Sequence, residues 1–331
     1  MKKKQLSIYS LALASLLVLP LGSLTSCSDK EETDVFASEE LSLNMTLTPT
    51  IVDLPARNAS QDITITSNTA WGAVSDVTWA KLSAATGVAN GTLTVSLDDN
   101  TSTEQRTAII TFTYGNTQQT VTITQAAATA TLSTTEVTLG AKSSTQDIKV
   151  TSNSVWSVST EDSWIHLDDS EGDSNGRFSF TLDDNQSFSS RQGRITFTYG
   201  SGRQTITVTQ EGAKATTFEK TQVNNIGRYQ ADISGIFNSV FNVTEYGVVY
   251  SATVAEPKID EENAQIHQVV VSKTPINQDI VSATIKGLKA GSTNYARLYT
   301  KGPLGTEYGS VVSFVTSGGS PSSDDNPTPG Y

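Results

Sequence analysis

The sequence predicts an all-β chain, three β-sandwiches in tandem behind a short apolar leader. Three observations carry this expectation. Apolar residues recur with a period of two along most of the chain, the signature of strands with one buried face. Of 331 residues, 47 are Thr and 41 are Ser, while only 17% are charged; Thr favours extended backbone and Ser serves turns. Residues 60–126 also repeat at 145–211 with a constant offset of 85 and no gap, 29 of 67 positions being identical.

The N-terminus reads as an address. Lys2, Lys3 and Lys4 precede an apolar run at 11–21 that is too short to span a bilayer but suits a signal peptide. The run ends at Leu24-Thr25-Ser26-Cys27, which resembles a bacterial lipobox; an ordinary secretory signal with an incidental Cys is the alternative. Cys27 is the only Cys in the chain, so it is the expected lipidation site, and no intramolecular disulfide can form. Acyl chains gain about 0.8 kcal/mol per buried methylene, enough to anchor a protein with no membrane-spanning segment. Ser28-Asp29-Lys30-Glu31-Glu32 follows and resembles the surface-export signal of Bacteroidota lipoproteins; a solvated tether is the bland reading. The resemblance implies an outer-membrane location, lipid-anchored and exposed at the cell surface.

The repeat defines two domains, since an 85-residue period is too long for a solenoid unit. In the first copy Ile63/Ile65, Leu93/Val95/Leu97, Ile110/Phe112/Tyr114 and Val121/Ile123 alternate with Thr or Ser. The second keeps the phase at Ile148/Val150, Phe178/Phe180/Leu182, Ile195/Phe197/Tyr199 and Ile206/Val208. Asn90-Gly91 and Asn175-Gly176 each precede a strand, and Tyr114-Gly115-Asn116 and Tyr199-Gly200-Ser201 read as hairpin tips. Each copy is expected to be a small antiparallel sandwich. Trp71, Trp79, Gly87, Asn100, Arg106 and Gln125, matched by Trp156, Trp164, Gly172, Asn185, Arg191 and Gln210, resemble the signature of the BACON domain family. That family occurs on surface and secreted proteins of Bacteroidota, and the resemblance implies a role in binding carbohydrate or mucin.

Beyond residue 213 the pattern changes. Runs around 229–233, 246–250, 269–271, 280–285, 295–299 and 311–315 give six or seven strands, the number expected of an immunoglobulin-like sandwich. Glu245-Tyr246-Gly247-Val248-Val249-Tyr250-Ser251, Gly287-Leu288 and Tyr295-Ala296-Arg297-Leu298-Tyr299 resemble fibronectin-III-like modules. Ala290 stands where such modules favour Pro, and either Asn294 replaces their corner Tyr or Tyr295 is that Tyr shifted by one position. The expected organisation is a signal peptide at 1–26, a tether at 27–42, sandwiches at 43–126, 129–212 and 213–317, and a disordered tail at 318–331.

Candidate sites are few. The four Trp could stack on sugar rings, but small sandwiches need large residues in their cores; Trp71 and Trp156 are expected inside, and Trp79 and Trp164 partly buried. Phe188, which replaces Thr103 of the first copy in a polar loop, and His166, which replaces Lys81, are not required by the fold. Trp79, Trp164, His166 and Phe188 are therefore the candidate ligand-binding residues. Asp98-Asp99-Asn100 and Asp183-Asp184-Asn185 could bind Ca²⁺ but read better as turn caps. Tyr295, Arg297 and Tyr299 could form a stacking face or pack across strands.

The formal charge of −12 argues against nucleic acid. No phosphate loop, nucleophile elbow or metal-ligand cluster stands out, so no enzyme activity, cofactor or metal is expected. The function expected is non-catalytic: binding or presenting polysaccharide or mucin glycans at the cell surface, with the membrane engaged only through the lipid. The alternative is a spacer or adhesin stalk within a surface protein complex.

Overall fold

The computed structural model describes residues 42–259, 263, 265–271 and 275–318. The signal peptide, Cys27, nearly all of the tether and the tail beyond 318 lie outside the described residues. Among the described residues no helix is long and apolar enough to cross a membrane.

The first copy has nine strands: β1 (Met45–Thr48), β2 (Ile51–Leu54), β3 (Ser60–Ser67), β4 (Trp71–Ser75), β5 (Ala80–Leu82), β6 (Thr86–Gly87), β7 (Gly91–Leu97), β8 (Arg106–Tyr114) and β9 (Thr117–Gln125). One sheet is ordered β1-β3-β7-β5 and the other β2-β9-β8-β4-β6, the partition of an immunoglobulin-like sandwich. The inward set is the one the period of two selects. Ile63, Leu93, Val95, Ile110, Phe112, Val121 and Ile123 are fully buried, each such side chain contributing about 1.5–3 kcal/mol. Trp71 closes one end of this core, donating from Nε1 to the Ala89 carbonyl at 2.9 Å. A Cβ on Gly87 would lie 2.3 Å from its ring, so Gly is needed where β6 passes the indole.

One expectation needs correcting. The sandwich is not wholly antiparallel, because β2 runs parallel to β9, Ile51 opposite Thr122 and Leu54 opposite Gln125. The chain leaves the first sheet after β1 and joins the second two residues later without reversing. Pro49 has no N–H to continue the β1 ladder.

The second copy repeats the plan with β10 (Ala130–Leu132), β11 (Glu136–Leu139), β12 (Thr145–Ser152), β13 (Trp156–Thr160), β14 (Ile165–Leu167), β15 (Glu171–Gly172), β16 (Gly176–Leu182), β17 (Arg191–Tyr199) and β18 (Gly202–Gln210). Its sheets are β10-β12-β16-β14 and β11-β18-β17-β13-β15, with β11 parallel to β18. Here a Thr turn replaces Pro at the sheet switch. The Thr134 hydroxyl accepts from the Glu136 N–H (3.2 Å) and donates to the Glu136 carbonyl (2.7 Å).

The third sandwich comprises β19 (Thr217–Asn224), β20 (Gln230–Asn238), β21 (Glu245–Ser251), β22 (His267–Val271), β23 (Ile280–Lys286), β24 (Thr293–Gly302), β25 (Gly305–Tyr308) and β26 (Val312–Val315). The sheet β19-β20-β23 faces β22-β21-β24, with β25 and β26 both on β24 as two halves of one edge. This is a fibronectin-type partition. Strand β19 escapes the period-two pattern because a bulge between Glu219 and Gln222 shifts its register. Asn294 is 2% exposed and donates from Nδ2 to the Ser292 carbonyl (3.0 Å), so an amide does the local tying expected of a corner hydroxyl.

Short, hydrogen-bonded linkers join the sandwiches. Between the first two, Thr129 N donates to Asn153 Oδ1 (2.8 Å), and Asn153 Nδ2 donates to the Ala127 carbonyl (2.9 Å). The β17–β18 hairpin tip meets the loop before β8: Ser201 N donates to the Thr101 carbonyl (2.7 Å), and Thr103 N donates to Ser201 Oγ (3.2 Å). The Arg57 guanidinium reaches the Asp173 carbonyl. Gly200 sits at φ 50°, and a Cβ there would be 2.2 Å from the Thr101 carbonyl oxygen. At the second junction Ala141, Ala213 and Phe241 form a small buried cluster.

Candidate functional site

The signature residues of the repeat converge inside each copy. Arg106 Cζ lies 4.1 Å from the centre of the Trp79 ring, and Arg191 Cζ lies 4.3 Å from that of Trp164. Each guanidinium stacks on its indole as a cation on a π face and spends its edge on hydrogen bonds. Arg191 donates from Nε to Gln210 Oε1 and from Nη2 to the Asp183 carbonyl, both at 2.8 Å. Gln210 is fully buried and passes the chain on, donating from Nε2 to the Ala141 (3.0 Å) and Asp183 (2.9 Å) carbonyls. Arg106 and Gln125 do the same in the first copy. The Asn also work on backbone: Asn100 Nδ2 donates to the Glu104 and Ala126 carbonyls, and Asn185 Nδ2 to those of Ser189 and Glu211.

Electrostatics follows the same bonds. The Asn58 backbone N–H, with the Arg57 guanidinium beside it, holds the Asp99 carboxyl below its ordinary value against a smaller opposing effect of burial. Burial draws the Arg106 guanidinium below its usual pKa, and the charges of Asp98 and Asp99 oppose that shift.

The four candidate residues are not gathered at one point of contact. One face of Trp79 and one of Trp164 lie under guanidinium. His166 faces outward and its Nε2 is 2.9 Å from Asp183 Oδ1, the place Lys81 takes beside Asp98 in the first copy. Phe188 is 58% exposed on a loop whose backbone packs against Gly212 and is tied down through Ser187 and Asn185. Of the third-domain trio, Tyr299 is fully buried and donates its hydroxyl to Glu245 Oε1 (2.8 Å), while Arg297 donates to the Pro257 carbonyl (2.7 Å) and stacks on Tyr308. These two residues serve packing.

A cleft that includes none of the four candidate residues opens at the junction of the first two sandwiches. It has a volume of ≈ 860 Å³, within the range of ligand pockets. Thr101 of the first sandwich lines one side, and Trp156, Ser157, Glu171, Asp173, Thr198 and Tyr199 are among the residues of the second that line the remainder. Strand register explains the grouping: Trp156 faces both Gly172 and Tyr199, and Ser157 faces both Glu171 and Thr198. The Ser157 and Thr198 hydroxyls are 2.7 Å apart. The signal for this site lay in positions where the two copies differ: Glu171 for Thr86, Asp173 for Val88, Ser157 for Gly72 and Gly202 for Thr117. A smaller cleft of ≈ 390 Å³ in the third sandwich includes Tyr250 and His267, whose rings are 5.4 Å apart across the β21–β22 pair.

The architecture defines a class: tandem immunoglobulin- and fibronectin-like sandwiches with polar lattices tying their loops. Within it, the BACON family model, described as "Putative binding domain, N-terminal", matches residues 69–126 and again 154–211, from just before the first Trp of each copy to its closing strand. No curated protein matches the chain. Among solved structures, a three-domain immunoglobulin fragment of titin is similar at 9% identity and a TM-score of 0.37, over 80% of this chain and 97% of the fragment. The FN1–FN3 domains of chicken CNTN1 are similar at 12% identity and a TM-score of 0.25, over 82% and 98%. A GH5 xyloglucanase from Bacteroides ovatus, in complex with a XXXG heptasaccharide, is similar at 21% identity and a TM-score of 0.25 over 26% of this chain. The chain spans 20% of the length of that enzyme.

Proposed function

We propose that this chain is a non-catalytic lipoprotein of the outer membrane, exposed at the cell surface, that holds a carbohydrate-binding surface on a stiff stalk. The observation that carries the reading is the junction between the first two sandwiches. Direct hydrogen bonds from the hairpin tip at Ser201 to Thr101 and Thr103 couple the domains, so a cleft with walls from both is held open before any ligand arrives. Preorganisation of that kind lowers the ordering cost of binding. The BACON description as a binding domain supports the same reading, and Leu24-Thr25-Ser26-Cys27 followed by Lys30-Glu31-Glu32 supports the anchor and the surface location.

A spacer or adhesin that contacts another protein is the second reading. It is favoured by the outer face of the first sandwich, where Ile51, Val74 and Val88 stand exposed at positions the second copy fills with Glu136, Ser159 and Asp173. Cells expressing the full chain decide between the two. Retention of fluorescent polysaccharide or mucin, lost with Cys27→Ser as the protein leaves the membrane fraction, supports the first reading. Cells that bind no glycan but still capture a surface protein support the second.

A further inference from the structure

We infer that the junction cleft is a binding site for a neutral saccharide and that Tyr199 is its stacking platform; this rests on the carbohydrate reading above and assigns it a place. The two copies supply an internal control, because a residue the sandwich needs should behave alike in both. Tyr114 of the first copy is 7% exposed, and its hydroxyl accepts from Gln119 Nε2 at 3.1 Å. Tyr199, its equivalent, is less buried and lines the cleft. Gln119 also donates to the Met45 carbonyl, and Gln204 keeps only the equivalent of that bond, to the Ala130 carbonyl. Among the described residues no hydrogen bond reaches the Tyr199 hydroxyl.

Gly202 accounts for the difference. The Tyr199 ring lies so close over Gly202 that a Cβ there would be 2.5 Å from Cζ. The first copy has Thr117 at this position, whose side chain would bar Tyr114 from the same placement. The change from Thr to Gly thus lets the Tyr199 ring lie over Gly202, where it lines the cleft while still packing against Phe197 at the core edge, ring centres 5.9 Å apart. Three further departures between the copies fall around the same opening. Glu171 and Asp173 bring carboxylates where the first copy has Thr86 and Val88, and Ser157 brings a hydroxyl where it has Gly72.

This chemistry fits a sugar. The C–H face of a pyranose packs on an aromatic ring, which offers apolar area at small entropic cost. Carboxylates accept from ring hydroxyls, and the Ser157 and Thr198 hydroxyls can donate or accept. The charge selects among sugars: the lining residues include Glu171 and Asp173 and no Lys or Arg, and Arg57, which reaches the Asp173 carbonyl at the rim, is already paired with Asp99, so the opening stays net acidic and disfavours a uronic or sialic acid.

The test uses the full chain, detergent-solubilised, on an array of neutral oligosaccharides of glucose, galactose, mannose and xylose beside oligosaccharides bearing uronic or sialic acid. The wild type is expected to bind neutral members. Gly202→Thr and Asp173→Val, each restoring the first-copy residue, should weaken binding at least tenfold, while Ile280→Ala, on the exposed surface of the third sandwich, leaves it unchanged. Asp173 is exposed and keeps its backbone contact to Arg57, so Asp173→Val tests the cleft even if Gly202→Thr disturbs folding. Neutral binding that survives both first-copy substitutions overturns the cleft but leaves the glycan reading standing. Binding confined to acidic sugars overturns the neutral class, and a wild type that binds no member overturns the glycan reading and this inference together.

Discussion

The guanidinium of Arg191 lies face-on to the indole of Trp164, 4.3 Å from the ring centre, while its edge donates to Gln210 and Asp183. A flat, always-charged group is needed for both tasks at once. Arg191→Lys should therefore destabilise the second sandwich by about 1.5–3 kcal/mol, since an ammonium cannot stack and bridge together. Chemical denaturation checks the stability, and acrylamide quenching of Trp164 should rise in the variant. Equal stability with unchanged quenching would refute a structural role for the pair.

Trp71 and Trp156 belong to separate cores. Truncating either to Ala should cost its own sandwich about 3–5 kcal/mol. The junction hydrogen bonds couple position without merging the cores, so calorimetry should show one transition moving down while the sibling sandwich melts near its wild-type temperature. Equal shifts of both transitions would contradict independent cores.

The first sandwich should weaken in acid through Asp99. Its carboxyl is held below the ordinary value by the Asn58 N–H and Arg57, so its contribution is full above the unfolded pKa of about 3.9. It is lost as pH falls through the lower folded pKa. Stability measured between pH 5 and 2 should fall less steeply in Asp99→Asn than in the wild type. Parallel curves would remove Asp99 from the acid response.

Alkali should act on the third sandwich. Burial, aided by the Glu245 carboxylate, pushes the Tyr299 hydroxyl far above its ordinary pKa, and burial also raises Tyr246 and Tyr250. A raised folded pKa means stability that is complete below the unfolded value of about 10 and declines as pH climbs past it. The third transition should drop between pH 10 and 12, less steeply in Tyr299→Phe.

Gly200→Ala places a methyl against the Thr101 carbonyl and asks Ala to hold φ 50°, at a backbone cost of about 1–2 kcal/mol. Limited proteolysis should then cut residues 126–129 faster than in the wild type, with the melting of each sandwich little changed. An unaltered cleavage rate would show that the tip contact does not stiffen the linker.

Much of this architecture is legible in the alternation of Ile, Val and Phe with Thr, because a two-residue period admits one buried face; in the two repeats every inward residue it marks is buried except Tyr199. The parallel β2–β9 pair is not legible, since four residues carry no information about which sheet a chain joins after a break. Strand β19 hides behind its bulge. The stacking of Arg106 on Trp79 joins residues far apart in sequence, and no local pattern announces it. The junction cleft was partly legible after all: Gly202 against Thr117 and Asp173 against Val88 are visible in the repeat alignment. They gain meaning only once strand register places them around one opening.

The contact of Gly200 and Ser201 with the Thr101–Thr103 loop has a genetic consequence. Each repeat carries both halves of the coupling. The first has an equivalent tip at Gly115, also at positive φ, and the second has an equivalent loop whose Ser187 carbonyl accepts from Ala213 N. The contact is heterologous, tip to loop, and does not close on itself. An unequal crossover between the two copies would insert or delete a whole 85-residue unit, and in an insertion a glycine tip would again face a repeat loop, with Asn116 standing where Ser201 does now. The length of the tandem array can therefore change by recombination in steps of one whole sandwich.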